Sequence, residues 1–123
     1  MLEHCGHIDA NSIYEYLAIG GYTALEKVLF DMEPQQVVQE ILDSNLRGRG
    51  GGGFAAGTKW SQVARQKATP KYIVCNGDEG DPGAFMDRSI MEGDPHRMIE
   101  GMMIAGAACG ASEGYIYVRA EYP

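Results

Sequence analysis

The sequence predicts an α/β fold in which short parallel strands follow a set of N-terminal helices. Two apolar runs, residues 72–75 and 114–119, have the composition of strands, and residues 95–111 between them are apolar enough for a buried helix. A strand, a helix and a strand in this order imply a right-handed crossover that places the strands side by side and parallel. Because two strands make a poor sheet alone, we expect a partner or further residues of a longer protein to cover the open edge.

The spacing of apolar residues predicts three helices before the first strand. The first is capped by Asn11 or Ser12 and stops at Gly20-Gly21, the second spans residues 22–32, and the third runs from Pro34 to about Asn45. The residues that we expect on their core-facing sides are Ile13, Tyr16, Leu17, Leu25, Val28, Leu29, Val37, Val38, Ile41 and Leu42.

The second half of the chain alternates helices and strands. A short helix is predicted over residues 58–66, and the first strand is expected to be buried, with an acidic loop over residues 76–83 at its carboxyl end. Asp94 has the residue type and position of a helix cap before Pro95. We expect the helix after it to be buried on nearly all sides, with glycines that let it approach the sheet closely: Gly101, Gly106 and Gly110.

A glycine-rich stretch dominates the middle of the sequence. Residues 46–53 read LRGRGGGG, and Phe54, Lys59 and Trp60 follow. Four consecutive glycines are costly to order, so a folded protein keeps them where backbone takes positive φ or a ligand approaches closely. Flexible linkers are usually polar and rich in serine, whereas this run is flanked by arginines, aromatic residues and a lysine. The composition therefore favours a ligand-binding loop. A P-loop of the form G-x4-G-K-[ST] is absent, which argues against a phosphotransferase.

Composition and charge restrict the class of protein. The chain has 123 residues, 45% hydrophobic residues and a net charge of −7, so it is long enough for one domain with its own core. An acidic chain is a poor match for nucleic acid. Without a long apolar run we expect no direct membrane insertion and a cytoplasmic location. Three cysteines without a C-x-x-C pair predict no metal site within this chain.

Three motifs carry a resemblance to a known family. They read LRGRGGGGF-x2-G-x-KW, then YIVCNGDEGDPGAFMDR, then IME-x-DPH-x-MIEGMMIAG followed by GYIYVRAEYP, and together they cover about residues 41–123. With them the chain resembles the FMN- and NADH-binding subunit of respiratory complex I. It also resembles the related diaphorase subunits of NAD(P)-linked hydrogenases and formate dehydrogenases, and its N-terminal stretch CGHID…IYEYLAIGGYTALEKVL is more similar to the hydrogenase branch than to the respiratory one.

The resemblance implies a fold, cofactors and partners. The fold would be a partial Rossmann-like flavin-binding domain, with residues 1–45 as an N-terminal helical segment and 46–123 as the first half of the FMN- and NAD(H)-binding domain. Hydride would pass between NAD(H) or NADP(H) and FMN, and electrons would continue to iron–sulfur clusters. A 4Fe-4S cluster is implied in the full-length parent only. The implied partners are a thioredoxin-like 2Fe-2S subunit and other subunits of a multi-subunit redox complex, and the fragment alone is expected to be inactive.

The resemblance also assigns residues to the cofactors, and none of them as a catalytic side chain. The residues it places in the glycine loop against flavin and dinucleotide are Gly48, Arg49, Gly50, Gly51, Gly52, Gly53 and Phe54. Lys59 would meet a phosphate or the flavin, Asn76, Asp78 and Glu79 the isoalloxazine, and Asp81 the nicotinamide side of NADH. The alternative left open is a nucleotide-binding or subunit-interaction module without redox activity of its own.

Overall fold

The computed structural model describes residues 3–49, 52–78 and 86–120 and contains six helices and two strands in these ranges. In chain order the elements are α1 (Ile13–Ala18), α2 (Thr23–Asp31), α3 (Pro34–Ser44), α4 (Ala56–Ala64), β1 (Tyr72–Gly77), α5 (Met86–Gly93), α6 (Pro95–Cys109) and β2 (Glu113–Val118). None of the helices in the described part of the chain has the length and apolar character needed to cross a membrane.

The two strands form a parallel sheet, which confirms the predicted α/β fold. Tyr72 pairs with Glu113 at one end and Gly77 with Val118 at the other. The strand β1 is longer than predicted, because Asn76 and Gly77, which we predicted in a loop, continue the ladder. It is also not buried on both faces: Val74 is 60% exposed, because α6 covers one face of the sheet only. The division into residues 1–45 and 46–123 stays a prediction.

The helix α6 lies at the centre of the molecule. It contacts α2, α3, α4, α5 and both strands, as its apolar composition predicts. The core cluster comprises Val37, Val38 and Ala108, with Val28, Met32, Trp60, Ala64 and Ile104 packed against it. The N-terminal helices and the crossover helix therefore share one core.

Two predictions about α6 were wrong. Burial on nearly all sides fails because Met103 is half exposed. Close glycine packing also fails: a Cβ added to Gly101 would meet no atom within 4 Å, and one added to Gly106 would make an ordinary 3.9 Å contact with Ile73. Gly110 ends the helix in a left-handed conformation with φ of 79°, which is a capping role.

Asp94 precedes α6 as predicted, but its side chain does not cap the helix. The carboxylate accepts no hydrogen bond from the first turn, is 0% exposed, and lies 3.3 Å (Oδ2) from Arg97 Nε. The charge of Arg97 thus takes the place of the expected backbone donors.

The other helices follow the sequence with four exceptions. One is that Leu29 and Leu42, which we expected on core-facing sides, are 56% and 38% exposed. Ser12 caps α1, accepting from the Glu15 N–H at 3.3 Å, and Asn45 ends α3 in the left-handed region. The helix α4 begins two residues before the predicted start, and α5 was not predicted. The expected buried face of α1 reduces to Tyr16, because Ile13 and Leu17 lie on the solvent side and are nearly half exposed.

Candidate functional site

The glycine stretch forms a loop closed by backbone hydrogen bonds between α3 and α4. The Gly48 N–H donates to the Phe54 carbonyl at 2.8 Å, and the Ala56 N–H donates to the Leu46 carbonyl at 2.9 Å. Arg47 and Ala55 form an isolated antiparallel bridge between these bonds. The chain therefore leaves α3 and returns to the first turn of α4 through a loop whose ends are held together.

The loop requires glycine at position 53 for its conformation, and its backbone is open at positions 52 and 53. Gly53 has φ of 51°, a left-handed value that side chains rarely adopt. A Cβ added to Gly52 or Gly53 would meet nothing within 4 Å, so the backbone here faces open space. Gly50 and Gly51, which we predicted in the same loop, lie outside the described residues.

An aromatic ring and three cations surround the loop. Phe54 is 50% exposed, and Lys59 Nζ lies 5.2 Å from the centre of its ring, within the range of a cation–π contact. Arg47 Nη1 donates to the Gly53 carbonyl at 3.1 Å, and Arg49 Nη1 donates to the Arg47 carbonyl at 3.0 Å. Together with the N-terminus of α4, these charges make a local positive region on an acidic chain.

The second group of predicted residues lies at the carboxyl end of β1. Asn76 is exposed and shares the solvent face of the strand with Tyr72 and Val74. Its Oδ1 accepts from the Asp78 N–H at 3.1 Å, a local turn that fixes the direction of the amide. Glu79 and Asp81 lie outside the described residues.

The structure thus brings the predicted residues together in two groups. The glycine loop gathers Gly48, Arg49, Gly52, Gly53, Phe54 and Lys59, and the strand end gathers Asn76 and Asp78. Within residues 3–49, 52–78 and 86–120, no hydrogen bond, ion pair or ring contact links one group to the other. Their assignment to one cofactor stays a prediction.

Sequence reasoning missed two residues that shape these groups. Arg47 holds the Gly53 carbonyl, and the sequence signalled it only as a charge beside the glycines. Met91 of α5 packs against Gly77, where a Cβ would overlap its Cε and lie 2.8 Å from its Sδ. No local sequence pattern predicts the contact between Met91 and Gly77, because the two residues belong to different elements.

The glycine loop fits a ligand that carries both a phosphate and a flat ring. Open backbone at Gly52, a positive region and a helix N-terminus suit an anion, and the exposed face of Phe54 suits an aromatic ring. Within the described part of the chain, no three His, Cys, Asp or Glu side chains form a group that could hold a metal ion.

Comparisons with known proteins give a consistent picture. The sequence profile of the Nuo51 FMN-binding domain matches residues 41–123. The chain is 54% identical over 120 residues to the NADP-reducing hydrogenase subunit HndC of Solidesulfovibrio fructosivorans, covering 98% of this chain and 24% of that protein. It is 50% identical over 114 residues to an NADH-quinone oxidoreductase subunit of Rhizobium meliloti (strain 1021), covering 93% of this chain and 27% of that protein.

A solved structure agrees with the sequence relatives. The crystal structure of an NAD+-reducing [NiFe]-hydrogenase in the air-oxidized state matches with a TM-score of 0.70 and 33% identity, covering 80% of this chain and 19% of that one. The chain spans about a quarter of the length of the curated relatives that it matches. On the profile match over residues 41–123, the chain belongs to the family of the Nuo51 FMN-binding domain.

Proposed function

We propose that this chain is part of an NAD(P)H dehydrogenase or diaphorase subunit of a multi-subunit redox complex and that it contributes to the binding of FMN and NAD(P)H. The proposal extends to this chain what the names of its relatives say of them: a subunit of NADH-quinone oxidoreductase and a subunit of an NADP-reducing hydrogenase. FMN, when bound, supplies the acceptor for hydride from NAD(P)H, and its electrons continue to iron–sulfur clusters in the intact complex.

The observation that carries the proposal is the closed glycine loop with its open backbone, exposed ring and neighbouring cations. Lys59 and the first turn of α4 would attract a phosphate, and Phe54 would provide a ring for stacking. Asn76 presents an amide that both donates and accepts, which suits the edge of an isoalloxazine ring. The chain's own residues therefore bind and orient, and we assign none of them a proton transfer.

The direct test compares FMN with riboflavin, which lacks the phosphate. We expect the 123-residue chain to quench flavin fluorescence with FMN bound about tenfold more tightly than riboflavin, because one charge-assisted phosphate contact contributes about that factor. Lys59→Gln should reduce the preference for FMN, and Asn76→Ala should weaken both flavins. Gly101→Ala is the matched control, because an added Cβ there meets no atom within 4 Å.

A chimera tests the redox part of the proposal. In it, this chain replaces the 120 residues of the subunit HndC to which it is 54% identical. We expect the chimera to retain FMN and its visible absorbance to bleach anaerobically on addition of NADH or NADPH. A chimera that retains FMN but does not bleach would favour the module without redox activity. Absence of FMN from both the chain and the chimera would contradict the proposal.

A further inference from the structure

The residues before α1 pack against α5 and the start of α6. We call residues 3–9 the N-terminal segment, which lies outside the family match at 41–123. The Cys5 thiol donates to the Ser89 carbonyl at 3.4 Å, and Glu3 Oε1 lies 2.5 Å from Arg97 Nη2. These contacts join the beginning of the chain to residues more than eighty positions later.

A side chain at position 93 would have to displace Cys5. A Cβ added there would lie 2.8 Å from Cys5 Sγ and 3.0 Å from Cys5 Cβ. Arg97 links the N-terminal segment to the same junction, because it pairs with Glu3 and its Nε lies 3.3 Å from the fully buried Asp94 that joins α5 to α6. The N-terminal segment and the α5–α6 junction therefore fix each other's position.

The opposite side of α5 contacts the strand end that carries Asn76 and Asp78. Met91 occupies the space beside Gly77, where a Cβ would overlap its Cε. Asp87 of α5 also acts on Cys75 of β1. Burial, and then the negative charge of Asp87, raise the pKa of the Cys75 thiol. A displacement of α5 would thus reach Gly77 through Met91, and a close-packed interior transmits such displacements.

We propose that the N-terminal segment positions the flavin-binding end of β1 through α5. Cys5 and Gly93 are then positioning residues that touch no ligand, and Met91 is the side chain that carries their effect to Gly77. The inference rests on the proposed function in one respect, that Asn76 and Asp78 meet the flavin, and it adds a determinant of that site outside the matched domain.

The test exchanges volume across the Cys5–Gly93 contact. Gly93→Ala adds a methyl group where Cys5 lies, Cys5→Gly removes the obstructing Sγ and Cβ, and the double variant combines the two. We expect Gly93→Ala to shift the amide NMR signals of Asn76, Gly77 and Asp78 in the flavin-free chain. It should weaken FMN binding about 2- to 30-fold, the range that packed side chains transmit.

The double variant should restore both readouts, because it removes the Sγ and Cβ that the added methyl group would meet. The control is again Gly101→Ala, which makes the same substitution at a helix position where the added Cβ meets no atom within 4 Å. It should leave both readouts unchanged. If Gly93→Ala does not fold, Cys5→Ala loosens the same contact without a clash and should shift the same three amides by less.

Two results would overturn the inference. One is a Gly93→Ala variant whose amide signals move at Ser89 and at Glu92 but not at Asn76, Gly77 or Asp78. The other is a double variant that stays as displaced as the single one. If the three amides respond as expected while no variant, nor the unmodified chain, binds FMN, the coupling stands and the proposed function fails.

Discussion

Two regions of this molecule hold their shape in opposite ways. The first is the Glu100 cluster, which comprises Tyr16, Tyr22, His96 and Glu100 at the contact of α1 and α2 with α6. The second is the glycine loop between α3 and α4. Glu100 is 7% exposed and Phe54 is 50% exposed. The cluster is fixed by buried side chains, whereas the loop is fixed by backbone hydrogen bonds.

Glu100 is the centre of the buried region. Its Oε1 accepts from the Tyr16 hydroxyl and from the Tyr22 N–H at 2.9 Å, and its Oε2 accepts from the Leu25 N–H at 3.1 Å. A carboxylate of α6 thereby caps the N-terminus of α2, where no local side chain does so. It also stabilises Tyr22 in a left-handed conformation, with φ of 63°, that a non-glycine residue seldom adopts.

Aromatic contacts complete the cluster. The rings of Tyr16 and His96 stack with centroids 5.5 Å apart, and the Tyr22 ring meets Tyr16 edge-on at 5.1 Å. The Tyr22 hydroxyl lies 2.7 Å from His96 Nδ1. By contrast, the exposed ring and cations of the glycine loop have free surface for a ligand. Changes in the cluster should therefore affect stability, and changes in the loop should affect binding.

The largest effect is expected from Glu100→Ala. The substitution leaves two backbone donors and one hydroxyl without their acceptor, and losses of this kind cost about 3–5 kcal/mol of the free energy of unfolding. Urea denaturation of the chain measures it. Glu92→Ala is the control, since Glu92 forms an exposed i,i+4 pair with Arg88 and should cost less than about 0.5 kcal/mol. Equal losses in the two variants would contradict the central place of Glu100.

A smaller loss is expected from Gly57→Ala in α4. A Cβ at this position would lie 2.8 Å from Leu42 backbone atoms of α3, and overpacking of this kind costs about 1–3 kcal/mol. Gly101→Ala should instead be neutral or stabilise α6 by up to about 1 kcal/mol. Thermal unfolding of both variants separates the outcomes, and an unchanged melting temperature for Gly57→Ala would show that α3 and α4 are not in such close contact.

Alkaline pH should loosen the Glu100 cluster. Burial, the hydrogen bond to Glu100 and the nearby negative charges raise the pKa of the Tyr16 hydroxyl. Its contribution is therefore present below the unfolded pKa of about 10 and is lost as pH rises beyond it, by up to about 1.4 kcal/mol per pH unit. Unfolding free energies measured from pH 9 to 11 test this. Tyr16→Phe should show a shallower decline, and an equally steep decline would assign the effect to other groups.

The smallest effect on folding, with a larger one on binding, is expected from Phe54→Ala. Its ring is half exposed, so the free energy of unfolding should change by less than about 0.5 kcal/mol. Loss of ring stacking should weaken FMN binding about tenfold. Phe30→Ala, on the exposed face of α2 at 79% exposure, is the matched control for both measurements. If Phe54→Ala and Phe30→Ala weaken FMN binding equally, the Phe54 ring does not stack on the flavin.

Local patterns in the sequence predicted most of the fold and the separate parts of the site. Ser12, Pro34 and Asn45 mark helix ends by rules that act within one turn, and the glycine run marks a loop by its conformational cost. The helix α5 was missed, because an acidic amphipathic segment after a sequence rich in glycine and proline lacks a strong start signal.

Contacts between distant residues were beyond local patterns. In the sequence, Glu100 is only one charged residue in an apolar helix. In the structure it caps α2, which lies more than seventy residues earlier in the chain. Asp94 has the sequence of a helix cap, but the nearby guanidinium of Arg97 and complete burial give it another role. The pairing of Met91 with Gly77 and of Cys5 with Gly93 likewise depends on how elements pack.

An NMR titration of the chain with FMN tests whether the glycine loop and the strand end form one flavin site. We predict that amide signals at both predicted groups shift together and saturate at the same FMN concentration: Gly48, Gly52, Gly53 and Phe54 in the loop, and Asn76 and Asp78 at the strand end. Shifts confined to one group, or an unchanged spectrum at both groups with saturating FMN, would contradict the claim that the two groups form one flavin site.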